Sequence, residues 1–138
     1  MALIVVVLLV LVAAGCGGAA RPEHATLHDV AVLRSAVVFD FDVQPTDVTT
    51  RYARRDSLAE CGSGLPVRPR GEAVAVVHFS PAQTDGVPKR IEMPSGTVLD
   101  VWKLCDFEAD VGWAIGLSRR SPLHVSRNGA TVTVTFGG

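Results

Sequence analysis

Between Val98 and Leu117 the side chains change character at almost every step. Val98, Asp100, Trp102 and Leu104 alternate with Leu99, Val101, Lys103 and Cys105. After Asp106-Phe107-Glu108-Ala109 the alternation resumes, with Val111, Trp113, Ile115 and Leu117 set against Asp110, Gly112, Ala114 and Gly116. A repeat of two is the repeat of a β-strand, whose successive side chains point to opposite faces of a sheet. Two such runs joined by an acidic turn predict a pair of adjacent strands. The second strand carries a bulky apolar wall, which places Trp113 in a core. Its other face is small enough for a further segment to pack close.

The same repeat recurs elsewhere. Ala36 to Val43 sets Val37, Phe39, Phe41 and Val43 against Val38, Asp40 and Asp42, as in a half-buried strand. Val48 to Arg54 puts Val48, Thr50 and Tyr52 together. Glu72 to Phe79 is apolar on both faces, which suits a central strand. Leu123 and Val125 alternate with His124 and Ser126, and Asn128-Gly129 is a strong hairpin turn because both positions favour positive φ. Val132, Val134 and Phe136 then face inward, with Thr131, Thr133 and Thr135 outward. Thr26 to Arg34 reads as a strand, although Thr26 and Asp29 could also open a helix as a capping pair. Gln44 to Asp47, Arg55 to Gly71 and Ser80 to Arg90 read as connections. The expected fold is all-β: an antiparallel β-sandwich or partly closed barrel of about seven or eight short strands.

The beginning of the chain has a different composition. Ala2 to Ala14 is an unbroken apolar run, too short for a comfortable transmembrane helix and of the right length for a secretory signal. Ala14-Gly15-Cys16 resembles a bacterial lipobox, in which the cysteine is lipidated and becomes the first mature residue. The alternatives are an ordinary signal cleaved after Ala20 and an uncleaved anchor. The lipoprotein reading gives a signal peptide over 1–15, a tether over 16–25 and a β domain over 26–138. It also predicts an exported protein held by lipid on the outer side of the cytoplasmic membrane. With Cys16 used by lipid, Cys61 and Cys105 remain as an even pair, which in an exported protein reads as a disulfide.

A family resemblance rests on several of these segments. Val37-Val38-Phe39-Asp40-Phe41-Asp42, the Tyr52 strand, and Phe79-Ser80-Pro81-Ala82 look like an AMIN-like domain. The most specific part is Asp106-Phe107-Glu108-Ala109-Asp110-Val111-Gly112-Trp113-Ala114-Ile115-Gly116-Leu117, followed by Ser121-Pro122-Leu123-His124-Val125. The likeness runs from about Thr26 to Phe136. It implies a β domain of the kind found in exported actinobacterial lipoproteins, similar to the AMIN modules that precede peptidoglycan amidases. It supplies no catalytic residues. Cys61 and Cys105 depart from its pattern.

Chemistry-bearing residues are sparse. The 13 basic and 14 acidic residues nearly cancel, so no broad basic field points to nucleic acid. No Cys/His cluster has zinc spacing, and His24 and His28 lack the H-E-x-x-H frame. His78 reads as a structural residue of its strand. Gly62-Ser63-Gly64 is neither a nucleophile elbow nor a phosphate loop. Asp106, Glu108 and Asp110 could form a weak calcium site, but a charged turn that discourages edge-to-edge association explains them as well. Asp40 or Asp42 with Glu108 would make a glycosidase pair only if folding set them about 5–9 Å apart across a cleft. Trp102 reads as a core residue rather than a sugar platform.

The expectation is a non-enzymatic, lipid-anchored envelope domain with no catalytic residue, cofactor or metal. Its partners would be the membrane, through lipid, and peptidoglycan or another envelope protein. A small cell-wall hydrolase and a soluble secreted binding domain are the competing readings. If Cys61 and Cys105 are bridged, Arg54, Arg55, Arg68 and Arg70 of the long connection are held near Asp106, Glu108 and Asp110. Those seven residues are the expected binding surface.

Overall fold

The computed structural model describes residues 24–137. The expected signal, Cys16 and nearly all of the tether lie outside them. Ten strands follow in order: β1 (Ala25–Val32), β2 (Ala36–Phe41), β3 (Asp47–Ala53), β4 (Ala73–Ser80), β5 (Ala82–Thr84), β6 (Arg90–Glu92), β7 (Val98–Phe107), β8 (Asp110–Leu117), β9 (Leu123–Asn128) and β10 (Thr131–Phe136). They form two five-stranded sheets. The first has the order β5-β1-β2-β10-β9 and the second β3-β4-β8-β7-β6. Neither closes into a barrel, so of the two expected architectures the chain adopts the sandwich. All pairings are antiparallel except β1 with β5.

The inner faces meet where the alternation placed them. Phe39, Val37, Val132 and Val134 of the first sheet pack against Val77, Phe79, Trp113 and Ile115 of the second. The Phe39 ring centroid lies 4.9 Å from that of Phe79 and 6.1 Å from that of Trp113, both tilted. Trp113 is fully buried. Burial on this scale is the main favourable contribution to folding.

Strand number and register depart from the expectation. The connection after Ser80 contains β5, whose three residues pass to the other sheet and pair with Ala25, Thr26 and Leu27. Another three-residue strand, β6, precedes β7. Strand β2 stops at Phe41, because the Asp42 carboxylate accepts the amide hydrogens of Thr26 and Val43, both at 2.7 Å. Val43 is therefore 37% exposed rather than inward. In β7 the register shifts between Val98 and Asp100 and again between Lys103 and Cys105. An irregularity of this kind moves following side chains to the other face. Val98 and Val101 enter the inner core, while Asp100, Trp102 and Leu104 face outward.

The second sheet is covered on both sides, which is why β4 is apolar on both. Ala75, Val77 and Phe79 belong to the inner core. Val74 and Val76 lie beneath the connection after β3 in a smaller cluster with Leu58, Val67, Leu104 and Ala114. Trp102 packs beside that cluster, half-buried, with the Arg90 guanidinium 4.2 Å above its ring. One of its faces is therefore covered by arginine.

Candidate functional site

The connection Arg54–Glu72 forms a third layer on the outer face of the second sheet. Its first residues make a single 3-10 turn, Arg55–Ser57. Leu58 and Val67 then point down onto the sheet, with the Val67 amide donating to the Leu58 carbonyl at 3.1 Å. An Ala59–Pro66 bridge closes the bend around Gly62 and Gly64, whose φ values of 87° and 68° suit glycine.

The layer is fixed to the sheet at both ends. Cys61 and Cys105 form a disulfide with Cα atoms 5.1 Å apart, and the Cys61 amide donates to the Leu104 carbonyl at 2.9 Å. The carboxylate of Glu60 accepts from Lys89 and from Ser63, and those bonds, the Lys89 one first, hold its pKa below the usual value. At the other end lies Asp100, fully buried. It accepts the Arg70 backbone amide at 3.0 and 3.2 Å, Trp102 Nε1 at 2.9 Å and Arg90 Nη2 at 3.4 Å. A carboxylate removed from water needs such partners.

The small residues of β8 make this approach possible. A Cβ on Gly116 would lie 2.1 Å from Asp100 Oδ1 and 2.4 Å from the Arg70 carbonyl oxygen. A Cβ on Gly112 would lie 2.8 Å from the His78 ring, which Asp110 in turn contacts at 3.2 Å. Gly116→Ala is expected to push Asp100 off the Arg70 amide and destabilise the fold by about 1–3 kcal/mol. Faster hydrogen exchange at the Arg70 amide, beside a lowered melting temperature, is the check. An unchanged exchange rate would contradict this packing.

Within the layer, between its outgoing and returning arms, runs a groove of about 600 Å³, lined by Arg55, Asp56, Leu58, Val67, Arg68 and Arg70, with Pro66 and Pro69. Its floor is apolar and its rim basic. Of the seven residues in the expected surface, three arginines therefore meet here. Arg54 stands outside the groove lining, 3.3 Å from Asp56. Arg70 spends part of its guanidinium on the Met93 carbonyl at 2.8 Å, whereas among the described residues Arg55 and Arg68 make no ion pair.

The acidic members lie elsewhere. Asp106 accepts from the hydroxyl and amide of Thr84 and lines a smaller hollow of about 280 Å³ beside the disulfide, with Lys89 and Lys103. Asp110 faces His78. Glu108 stands at the β7–β8 turn, where it and Ala109 have φ of 50° and 62°. No ion pair joins the four arginines to these acids among the described residues. Asp100, the residue that anchors the groove, was not among the expected site residues. Its signal was an acid placed across from a glycine-bearing strand.

Asp40 is bonded to the Thr131 hydroxyl at 2.6 Å on the outer face of the first sheet, and Glu108 belongs to the second. Among the described residues no group of three or more His, Cys, Asp or Glu is placed to hold a metal ion.

A family model described as AMIN-like domain matches residues 35–134. That span runs from the β1–β2 turn into β10 and contains the whole groove. No curated protein and no solved structure was found to match the chain.

Proposed function

The chain belongs to the AMIN-like domain family, and from that premise we propose that it is a non-enzymatic, lipid-anchored envelope domain that binds peptidoglycan through the groove. Domains of this family are of a cell-envelope, peptidoglycan-binding type and are generally binding modules rather than catalysts. The observation that carries the reading is the groove itself. It has an apolar floor, a rim of Arg55, Arg68 and Arg70, and a disulfide and a buried carboxylate that hold it open. Guanidinium groups suit carboxylate-bearing ligands because their fork matches the carboxylate geometry. The acidic residues of the expected surface, Asp106, Glu108 and Asp110, then act at a separate place, with Glu108 on an exposed turn.

Retention on purified sacculi tests the groove. The Arg55→Ala, Arg68→Ala double variant is expected to bind roughly 5- to 30-fold more weakly, at about 0.5–1 kcal/mol for each exposed charge. Undiminished retention would remove the groove from the reading, and release of sugar or peptide from the sacculi would make the protein a hydrolase.

The anchor is tested separately. Cys16→Ala is expected to release the protein from membranes or to block its processing. Unchanged partition together with unchanged mass would rule out the lipid, and a mature chain beginning at Arg21 would mark a soluble secreted domain.

A further inference from the structure

The near-zero net charge conceals a sorting of charge along the strands. Register defines the two ends of the sandwich. At one end Ala53 lies opposite Val74, and Ala73 and Val98 lie opposite Leu117. The Arg34 carbonyl accepts the amides of Thr97 and Val98, which brings the β1–β2 turn to the same end. Arg34, Arg55, Arg68, Arg119 and Arg120 gather there from three separate connections of the chain. All five are exposed, and among the described residues none lies within 4 Å of a carboxylate. At the opposite end Asp47 pairs with Ser80 and Phe107 with Asp110, and Asp42, Asp47, Asp106 and Glu108 stand exposed. The sorting is not complete: Arg127, bonded to the Pro45 and Thr46 carbonyls, and Lys103, in the hollow with Asp106, are basic residues toward that end, and Asp56 and Glu72 are acidic ones among the arginines.

The arginine end has two recesses. One is the groove. The other is a polar hollow of about 500 Å³ lined by Arg34, Glu72, Gly96, Thr97, Ser118 and Arg119. Arg120 follows Arg119, with its guanidinium 4.4 Å over the Tyr52 ring at the end of β3, and the Tyr52 hydroxyl donates to the Ser121 carbonyl. Unpaired cations therefore line the groove and the hollow and occupy the link that follows β8.

We propose that this end binds a polyanion with repeating phosphodiester groups, which lies across the end of the sandwich from the groove to the hollow. The inference rests on the binding reading above and names a ligand class for it. A single small anion would satisfy one recess and leave the cations of the other unpaired. Exposed arginines with no buried partner make a surface that follows a charged chain by attraction rather than a pocket that selects one molecule. Guanidinium forks engage successive phosphates in two-bond contacts.

The source of the phosphate is a wall polymer rather than a lipid headgroup. The described chain enters at the acidic end, where Ala25 pairs with Ala82 and its amide donates to the Pro81 carbonyl at 3.1 Å. An eight-residue strand such as β8 separates the two ends by about 25 Å. Any anchor reached through Ala25 therefore leaves the domain from the end remote from the arginines, and the vesicle arm of the titration tests whether the arginine end meets headgroups.

The test titrates the purified mature protein with synthetic poly(glycerol phosphate), and in parallel with vesicles of phosphatidylglycerol. Polymer binding is expected to weaken roughly 100-fold between about 50 and about 200 mM salt, as for five released counterions. Arg34→Gln with Arg119→Gln, both outside the groove, should weaken it roughly tenfold and flatten the salt dependence. Asp47→Asn with Glu108→Gln at the other end should not weaken it. Unchanged melting transitions confirm that both double variants are folded. Salt-insensitive binding, indifference to Arg34 and Arg119, or vesicles bound as tightly as the polymer would each overturn the proposal. Sacculi stripped of phosphate polymers separate the two readings. Retention on them without any poly(glycerol phosphate) binding leaves the peptidoglycan reading standing and removes this one, and the reverse result does the opposite.

Discussion

Trp113→Ala is expected to destabilise the protein by about 3–5 kcal/mol and to leave little of it folded at 37 °C. The indole sits at the middle of the inner core, fully buried, against Phe39 and between Val111 and Ile115 on its own strand face. Small domains are stable by only about 5–15 kcal/mol, so a loss of this size consumes much of the margin. A second variant isolates the cause. Among the described residues Trp113 Nε1 has no hydrogen-bond acceptor. Trp113→Phe removes that unsatisfied donor while keeping most of the ring, and is expected to cost less than about 1.5 kcal/mol. Thermal and urea melts of both variants decide the matter. A normal transition for Trp113→Ala would contradict its place in the core, and equal losses for the two would show that a phenyl ring recovers none of the packing.

Cys61→Ser with Cys105→Ser is expected to produce the other large effect. The bridge closes a segment of 44 residues, for which chain entropy gives up to about 4 kcal/mol. The losses should be uneven. The bridge packs beside the smaller cluster, and without it the outer layer would be held by Leu58, Val67, the Arg70–Asp100 bonds and weaker exposed contacts such as Glu60 with Lys89. Amide protection should therefore fall first at Cys61 and Val67, and binding to sacculi should weaken with it. Mass analysis of the natural protein after alkylation, without reductant, should find no free thiol at either position. Two free thiols with an ordered outer layer would mean that the layer is placed by other contacts.

The parts of this fold that were legible in the sequence are those where a period of two runs unbroken. Val111, Trp113, Ile115 and Leu117 all reach the inner core, as do Val132, Val134 and Phe136. Strand β7 was misread past Val98 because its register shifts twice, and a bulge alters which face is buried without altering composition. The strands β5 and β6 have three residues each, too few to show any period. The disulfide and the close approach to the small face of β8 were legible from cysteine count and residue size. The placing of the arginines was not. Arg55 meets Arg68 because the connection folds back on itself, and Arg34 reaches Arg119 only through pairing between distant segments. Asp100 gave no sign that its partner would be a backbone amide thirty residues away.

The position of the bridge bears on proteolysis. Cys61 immediately precedes Gly62, Ser63 and Gly64, which are exposed and form a bend of the kind proteases cut. A cut within that bend divides the chain, yet Cys61 stays bonded to Cys105 and the two fragments remain one covalent molecule. Each fragment also contributes strands to both sheets: β1, β2 and β3 on one side of the cut, β4 to β10 on the other. A nick there should show as two bands only after reduction, while the undivided sandwich persists in solution. Outside a cell, where cleavage cannot be repaired by new synthesis in place, a domain built this way outlasts the first cut.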